Sequence, residues 1–275
     1  MPWFSSGWFF TLFQQPTRND EDCEEDDDDD DEELQHWRSV VHELVDRTDR
    51  CLGVDHLDHM QQSHDWDCGI VCLEMILHAW FASTTDTVVT REWLAATIDT
   101  QSTWTADVVF VLHTFLEQQA SSPHTVSYIF SSQSLAVNEN LRALPFYAQQ
   151  FARDTQRVQT RLGHHGLQRS RPYPLSEILD CVQYRGCVAI LLVDANRLRG
   201  SNQQRSNATL PYTGHYLVVV GVQQEEKAHQ RVVVNDPGVA EGRQSLPVER
   251  LEQAWHATGT DSDVILLVRH AESLE

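Results

Sequence analysis

The sequence predicts an α+β fold in which helices come first and an antiparallel sheet follows. Apolar residues recur at helical spacing through the first half of the chain. The last third instead contains four runs rich in valine, leucine and isoleucine: CVAILLVD, HYLVVVGVQ, QRVVVNDP and DVILLVRH. A single helical stretch, PVERLEQAWHATG, lies among them, which disfavours alternating β-α units and a parallel sheet.

The helices are predicted in order from their apolar periodicity and from the residues that begin them. The helix after Cys68 is apolar on most sides, so we expect it to be buried, with Glu74 and His78 on its polar stripe. A strand is expected at 125–130, in TVSYIF. The other helices are predicted at 34–48, 90–98, 105–118, 141–162 and 174–183.

The first 34 residues are predicted to be a disordered tail, and residues 35–275 a single domain. More than half of the net charge of −21 comes from thirteen carboxylates between Asp20 and Glu33, which repel one another. The aromatic stretch MPWFSSGWFFTLF precedes them. It is interpreted either as a segment that docks a partner or a membrane surface, or as one that folds back or stays disordered.

Composition argues against several classes of function. No basic cluster is visible that could bind phosphates, so nucleic acid is not expected as a partner. Six cysteines in 275 residues do not indicate a disulfide framework, and no apolar run reaches the roughly 20 residues that span a bilayer. The start of the chain also lacks the basic segment of a signal peptide, so we expect a cytoplasmic protein, with the nucleus as the alternative.

Cys68 is the candidate nucleophile, in the stretch WDCGIVCLEMIL. It stands where a helix begins, and the unpaired backbone N–H groups and the helix dipole stabilise a thiolate at that position. Asp67 is expected near the N-cap, where its carboxylate would accept a backbone N–H. Gly69 is expected to leave room for a substrate to approach.

A thiol nucleophile needs a base, and position selects one histidine out of fourteen. His215 begins the apolar strand GHYLVVVGV, where Gly214 is expected to keep its ring accessible. Asp236 follows the next strand, in VVVNDPG, so two antiparallel neighbours would bring its carboxylate to the imidazole. Gln62, six residues before the cysteine, is the candidate oxyanion donor, and Gln61 is the adjacent alternative.

Two resemblances to known families follow from these residues. The stretches DCGIVCLEMIL, GHYLVVVGV and NDPG resemble the papain-like cysteine peptidases, and among them the peptidases that process bacteriocin leaders. Six blocks between residues 55 and 270 resemble the guanylyl cyclase domain-containing proteins of plants, animals and protists: QQSHDWDCGIVCLEMIL, STWTADVVFVLHTF, LPFYAQQFARDTQRVQ, GHYLVVVGV, NDPG and GTDSDVILLV. The resemblances imply a papain-like fold with a Cys-His-Asp triad, in a family named for making cyclic GMP.

Three functions stay open at this point. A thiol hydrolase or acyltransferase would act on a peptide, an isopeptide or another acyl substrate, and would need no metal or other cofactor. A guanylyl cyclase would convert GTP to cyclic GMP with Mg²⁺ held by carboxylates, yet no P-loop is visible. A catalytically silent papain-like module would only bind. Four aspartates are present for a cyclase, but their spacing forms no recognisable metal site: Asp67, Asp107, Asp194 and Asp236.

Other residues near the candidate site allow two interpretations each. Trp66 and Trp104 are expected either to line a cleft or to pack in the core. A metal pair of Cys72 with His64 is an alternative to core packing, although the spacing fits no common zinc signature. Three cysteines are expected in the core: Cys72, Cys181 and Cys187.

Overall fold

The structure of the protein is a computed structural model that describes residues 57–81, 89–119, 125–162, 167–169, 173–184, 187–200, 211–224 and 230–270. All of these residues belong to one compact unit. The predicted tail and the helix predicted at 34–48 lie outside the described residues, so both stay predictions.

The described ranges contain eight α-helices, and none of them is both long and apolar enough to cross a membrane. The predicted helices after Cys68 and at 90–98, 105–118 and 174–183 are confirmed, but the helix predicted at 141–162 is two helices. Pro145 is the first residue of the shorter one, where its fixed φ and missing N–H favour a helix start. The helices are α1 (Cys68–Phe81), α2 (Arg91–Ile98), α3 (Thr105–Gln118), α4 (Pro145–Ala148), α5 (Phe151–Leu162), α6 (Leu175–Tyr184), α7 (Ala195–Leu198) and α8 (Val248–Trp255).

Within the described ranges, seven strands form one sheet in the order β2-β1-β7-β3-β4-β5-β6. They are β1 (Thr125–Ser131), β2 (Leu167–Arg169), β3 (Cys187–Asp194), β4 (Gly214–Gln224), β5 (Gln230–Asn235), β6 (Arg243–Pro247) and β7 (Val264–His270). Every pair is antiparallel except β1 with β2, which is parallel. The α+β class with helices packed on a largely antiparallel sheet is therefore confirmed.

Two edge strands and one short helix were not predicted. The strand β2 has three residues, and β6 has the sequence RQSLP, in which half-exposed polar residues replace the apolar alternation that signals a strand. Both lie at an edge of the sheet, where short and polar strands are common. The helix α7 is a single turn after β3, and its N-cap is Asp194, whose carboxylate accepts the Asn196 N–H at 3.0 Å.

The helix α1 packs against the middle of the sheet. Eleven of its 14 residues are buried, and ten of these join one apolar cluster with side chains of α3, β3, β4 and β7. Burial of each large aliphatic side chain contributes about 1.5–3 kcal/mol, so this cluster is the main source of stability. The polar stripe is also present, because Glu74 is half-buried and pairs with Arg91 of α2 at 2.7 Å.

The sheet register brings the candidate residues to one end of the molecule. The strands β4 and β5 are antiparallel, with Val218 opposite Asn235. His215 near the start of β4 and Asp236 directly after β5 therefore lie at the same end of the sheet. The helix α1, which packs on β4, begins at that end with Cys68.

Candidate active site

Cys68 is the first residue of α1 and lies at a surface cleft, with 6 % of its area exposed. The helix starts where the Val71 N–H donates to the Asp67 carbonyl at 2.9 Å. The Asp67 carboxylate accepts hydrogen bonds of 3.1 Å from the backbone N–H groups of Ser63 and His64. Asp67 thus stands directly before the helix and accepts backbone N–H groups, as predicted, but these belong to the turn that leads into the helix.

The two glycines beside the candidate residues permit close packing, which corrects the expectation that they keep the site open. A Cβ on Gly69 would lie 3.0 Å from Tyr216 Cδ2 and 3.0 Å from Val108 Cγ2. A Cβ on Gly214 would lie only 2.8 Å from the Tyr212 hydroxyl. Aromatic rings therefore occupy the space that larger side chains at these positions would need.

His215 contacts both of its predicted partners. Its Nε2 lies 2.6 Å from Asp236 Oδ1, and the Cys68 side chain lies close enough to the ring to raise its pKa. Burial lowers the pKa of His215, but the hydrogen bonds and charges of Asp236 and Cys68 raise it to about 9. The imidazole is therefore protonated at neutral pH, directly beside the sulfur.

Asp236 is buried in the turn after β5. Burial raises its pKa, but the hydrogen bond and charge of His215, the Gly238 N–H and the charge of Arg199 together lower it. The Gly238 N–H donates to Oδ1 at 2.7 Å, and the Val239 N–H donates to the Asp236 carbonyl at 3.3 Å. These bonds fix the carboxylate in its charged form, aimed at the imidazole.

Gln62 lies next to this turn, because its backbone N–H donates to the Pro237 carbonyl at 2.9 Å. Its side-chain Nε2 donates to the His64 carbonyl at 2.8 Å, and its buried Oε1 has no hydrogen-bond partner among the described residues. Gln61, the alternative, has an exposed side chain, and its carbonyl accepts a bond of 3.1 Å from Arg91. The oxyanion role of Gln62 stays a prediction.

The cleft beside Cys68 has aromatic walls. Trp66 and Trp104 line it, which agrees with the cleft interpretation, and Trp104 is also buried in an apolar cluster, so both interpretations hold for it. The sequence did not identify its other aromatic residues, because they come from distant segments whose meeting depends on the fold. These other aromatic residues are Phe146, Tyr147, Tyr212 and Tyr216. Asp65 is the only charged side chain among the lining residues that the structure describes.

A buried hydrogen-bond chain lies behind Tyr216. Its hydroxyl is 2.9 Å from Thr105 Oγ1, and Thr105 in turn donates a short hydrogen bond to Asp263 Oδ2. Burial raises the pKa of Asp263 to about 7, against the hydrogen bonds from Ser132 and Thr105, which lower it. The chain fixes Tyr216, whose ring covers the first turn of α1.

Each of the four aspartates considered for a cyclase has its own separate contacts. Asp107 is fully buried and pairs with Arg157 at 3.0 Å and with Arg161 at 2.5 Å. Asp194 caps α7, while Asp67 and Asp236 have the roles given above. The described residues include no group of three or more His, Cys, Asp and Glu side chains that could hold a metal ion.

The other cysteines of the described ranges are buried and form no disulfide, as expected for core residues: Cys72, Cys181 and Cys187. Burial, followed by the charges of Cys68 and Asp236, raises the pKa of Cys72 well above its ordinary value. The His64 ring stacks on Trp66, with centroids 5.4 Å apart. The alternative of a metal pair between Cys72 and His64 therefore has no support.

Comparison with known proteins gives a family, a relative and a structural neighbour. The sequence model of the family described as guanylylate cyclase matches residues 57–267, more than half of the chain. Guanylyl cyclase 1 of Arabidopsis thaliana is 28 % identical over 226 residues, which cover 77 % of this chain and 76 % of the relative. The peptidase domain of Streptococcus ComA, a bifunctional ABC transporter involved in quorum sensing, has a TM-score of 0.38 and 14 % identity, over 78 % of this chain and 99 % of that domain.

Proposed function

The chain belongs to the guanylylate cyclase family, and we propose that it acts as a papain-like thiol hydrolase or acyltransferase. The observation that supports this most is the chain of contacts from Cys68 through His215 to Asp236 at the start of a buried helix. A thiol at a helix N-terminus, next to a protonated imidazole, has the surroundings that favour a thiolate. A carboxylate on the far nitrogen holds the imidazole in place.

In the first half of the proposed reaction, the Cys68 thiolate attacks the carbonyl carbon of an amide or thioester. The carbonyl oxygen becomes an oxyanion, which accepts hydrogen bonds from the Cys68 N–H and from the second N–H of the Gln62 amide. The His215 imidazolium gives its proton to the leaving amine or thiol, and the acyl group stays on sulfur.

In the second half, His215 is neutral and acts as the base. It takes a proton from water, or from an acceptor alcohol or amine in the transferase case, as that nucleophile attacks the acyl carbon. The C–S bond breaks, Cys68 leaves as a thiolate, and His215 is protonated again. No metal or other cofactor takes part in this sequence.

The cleft favours an uncharged or cationic acyl substrate over a polyanion. Its described walls present aromatic faces and the Asp65 carboxylate, with no lysine or arginine. Peptides, isopeptides and thioesters fit these walls, whereas a nucleoside triphosphate would need cations or metal ligands around its phosphates. Cyclisation of GTP is therefore the alternative that the test below includes, and not a second proposal.

Acylation of the protein tests the proposal. The full chain is incubated with a panel of peptidyl thioesters, and the adduct is located by intact and peptide mass spectrometry. We expect an acyl group on Cys68, its absence in Cys68→Ser, and its persistence in the control Cys181→Ser. Failure of every thioester to acylate Cys68, or equal acylation of Cys68→Ser, would overturn the proposal.

The same preparations are incubated with GTP and Mg²⁺ or Mn²⁺, and cyclic GMP is measured. We expect no cyclic GMP above the level without protein. Production of cyclic GMP that persists in Cys68→Ser would support the cyclase instead of the thiol enzyme.

A further inference from the structure

Three groups converge on the space above Gly238, in the turn that follows Asp236. A Cβ on Gly238 would lie 3.0 Å from His215 Cε1, 3.1 Å from Asp236 Oδ1 and 3.1 Å from Arg199 Nη2. The Arg199 guanidinium therefore lies beside both members of the pair. Because these atoms lie about 3 Å from one common point, the guanidinium is at most about 6 Å from either group, a range in which a charge alters the protonation of its neighbour.

The backbone of Arg199 has a fixed place in the fold, while its side chain is exposed. Its backbone N–H donates to the Ala195 carbonyl at 3.0 Å, at the end of α7. The chain then turns at Gly200, whose φ of +54° lies in the left-handed region, and a Cβ there would lie 3.4 Å from Arg250 Cζ. Gly238 has no side chain between Arg199 and Asp236, which allows the close approach.

We propose that Arg199 is a further positioning residue that acts through Asp236. Its positive charge keeps the Asp236 carboxylate ionised and weakens the attraction of that carboxylate for the proton on the His215 imidazolium. Among the described residues, the charged and titratable groups that face His215 are Cys68 from α1, Asp236 from the turn after β5, and Arg199, which directly follows α7. Arg199 is the only one of these three that opposes protonation of the ring. Loss of its positive charge should therefore let His215 keep its proton to higher pH.

The inference rests on the proposed function, since it assigns Arg199 a part in the same site, but its test does not need turnover. The pH titration of His215 is followed by NMR of the ring Cε1–H in a Cys68→Ser background, so that the thiol does not titrate with it. His215→Gln identifies the signal. We expect Arg199→Gln to raise the pKa of His215 by about half a unit to one unit.

Two further variants separate this effect from general loss of structure. Arg199→Lys keeps the charge and should stay within a few tenths of a unit of the parent. Arg197→Gln removes an exposed arginine of α7, two residues before Arg199, which pairs with Asp194 at 3.7 Å, and should leave the titration unchanged. An unchanged or lowered pKa in Arg199→Gln, or an equal shift in Arg197→Gln, would overturn the inference.

The two proposals fail in different ways. If no thioester acylates Cys68 while Arg199→Gln still shifts His215, the site lacks the proposed activity but Arg199 still acts on the pair. If Cys68 is acylated and the titration does not move, the activity stands and the assignment of Arg199 is wrong.

Discussion

The Nε2 of His215 lies 2.6 Å from Oδ1 of Asp236, although 21 residues separate them in the chain. The contact follows from the antiparallel pairing of β4 with β5, since one residue lies near the start of β4 and the other directly follows β5. Both side chains are buried, so neither exchanges this partner easily for water. Asp236 is thus the main partner that favours a protonated imidazole next to Cys68, to which the Cys68 side chain also contributes.

Asp236→Asn should change how stability depends on pH. The folded pKa of His215 is raised from 6.5 to about 9, so its pairing stabilises the fold fully below pH 6.5 and is lost as pH rises through 9. The wild-type free energy of unfolding should therefore fall by roughly 1–3 kcal/mol between pH 6.5 and 9 from this group.

Chemical denaturation at several pH values measures this slope. The slope should largely disappear in Asp236→Asn and persist in Glu241→Gln, which replaces an exposed acid five residues further on. Equal slopes in wild type and Asp236→Asn would show that the pair does not hold the proton.

Asp263→Asn should weaken the pH dependence of the free energy of unfolding between about pH 4 and pH 7, a lower range than that of His215. Burial raises the pKa of Asp263 from 3.8 to about 7, so its neutral form stabilises the fold below about pH 4, and this contribution is lost as pH rises through 7. We expect the wild type to lose roughly 2–4 kcal/mol of unfolding free energy over this range from Asp263. Thermal unfolding at pH 4 to 7 measures it, with the exposed Asp58→Asn as control. A slope retained in Asp263→Asn would contradict the assignment.

Asp154→Ala should be strongly destabilising. The fully buried Asp154 carboxylate accepts hydrogen bonds from Trp104 Nε1 at 3.1 Å, Ser102 Oγ at 2.5 Å and Arg157 Nη1 at 2.7 Å. Its loss leaves buried donors without an acceptor, which costs about 3–5 kcal/mol for a buried ion pair broken on one side. Urea unfolding should show this loss, while Asp180→Ala, an exposed acid on α6, should change stability by less than about 0.5 kcal/mol. A cost as small as that of Asp180→Ala would show that Arg157 and Trp104 find other partners.

Gly69→Ala tests whether Tyr216 covers the start of α1. Alanine gains about 1 kcal/mol of helix propensity over glycine, but overpacking against two buried side chains costs about 1–3 kcal/mol. Because the added Cβ would lie 3.0 Å from Tyr216 and Val108, we expect the packing cost to exceed the gain in helix propensity. The result should be a net loss of stability and slower acylation of Cys68. A matched Gly221→Ala, where a Cβ would meet no atom within 4 Å, should lack the steric cost. Stabilisation by Gly69→Ala would indicate that Tyr216 moves freely.

Local patterns were sufficient to predict most of the longer helices, the apolar strands and three of the residues that meet at the site. Cys68, His215 and Asp236 each stand where an element begins or ends, and such positions can be recognised from apolar periodicity alone. The edge strand β6 was missed because its polar residues acquire a strand conformation only by pairing with β5. The packing roles of Gly69 and Gly214, and the approach of Arg199 to Gly238, depend on contacts between distant segments, for which a single sequence has no signal.

The most direct test of the account is the rate at which iodoacetamide alkylates Cys68 at pH 7, compared with the rate for the free thiol of glutathione under the same conditions. An ordinary thiol with a pKa of about 8.5 is only about 3 % thiolate at pH 7, and a thiolate stabilised by His215 is more abundant but individually less nucleophilic, so we expect alkylation to be roughly 2- to 5-fold faster. We predict this excess rate at Cys68 in the wild type, and its loss in His215→Ala when circular dichroism shows a folded protein. Alkylation of Cys68 at the rate of an ordinary thiol, or a rate unaffected by His215→Ala, would contradict the account.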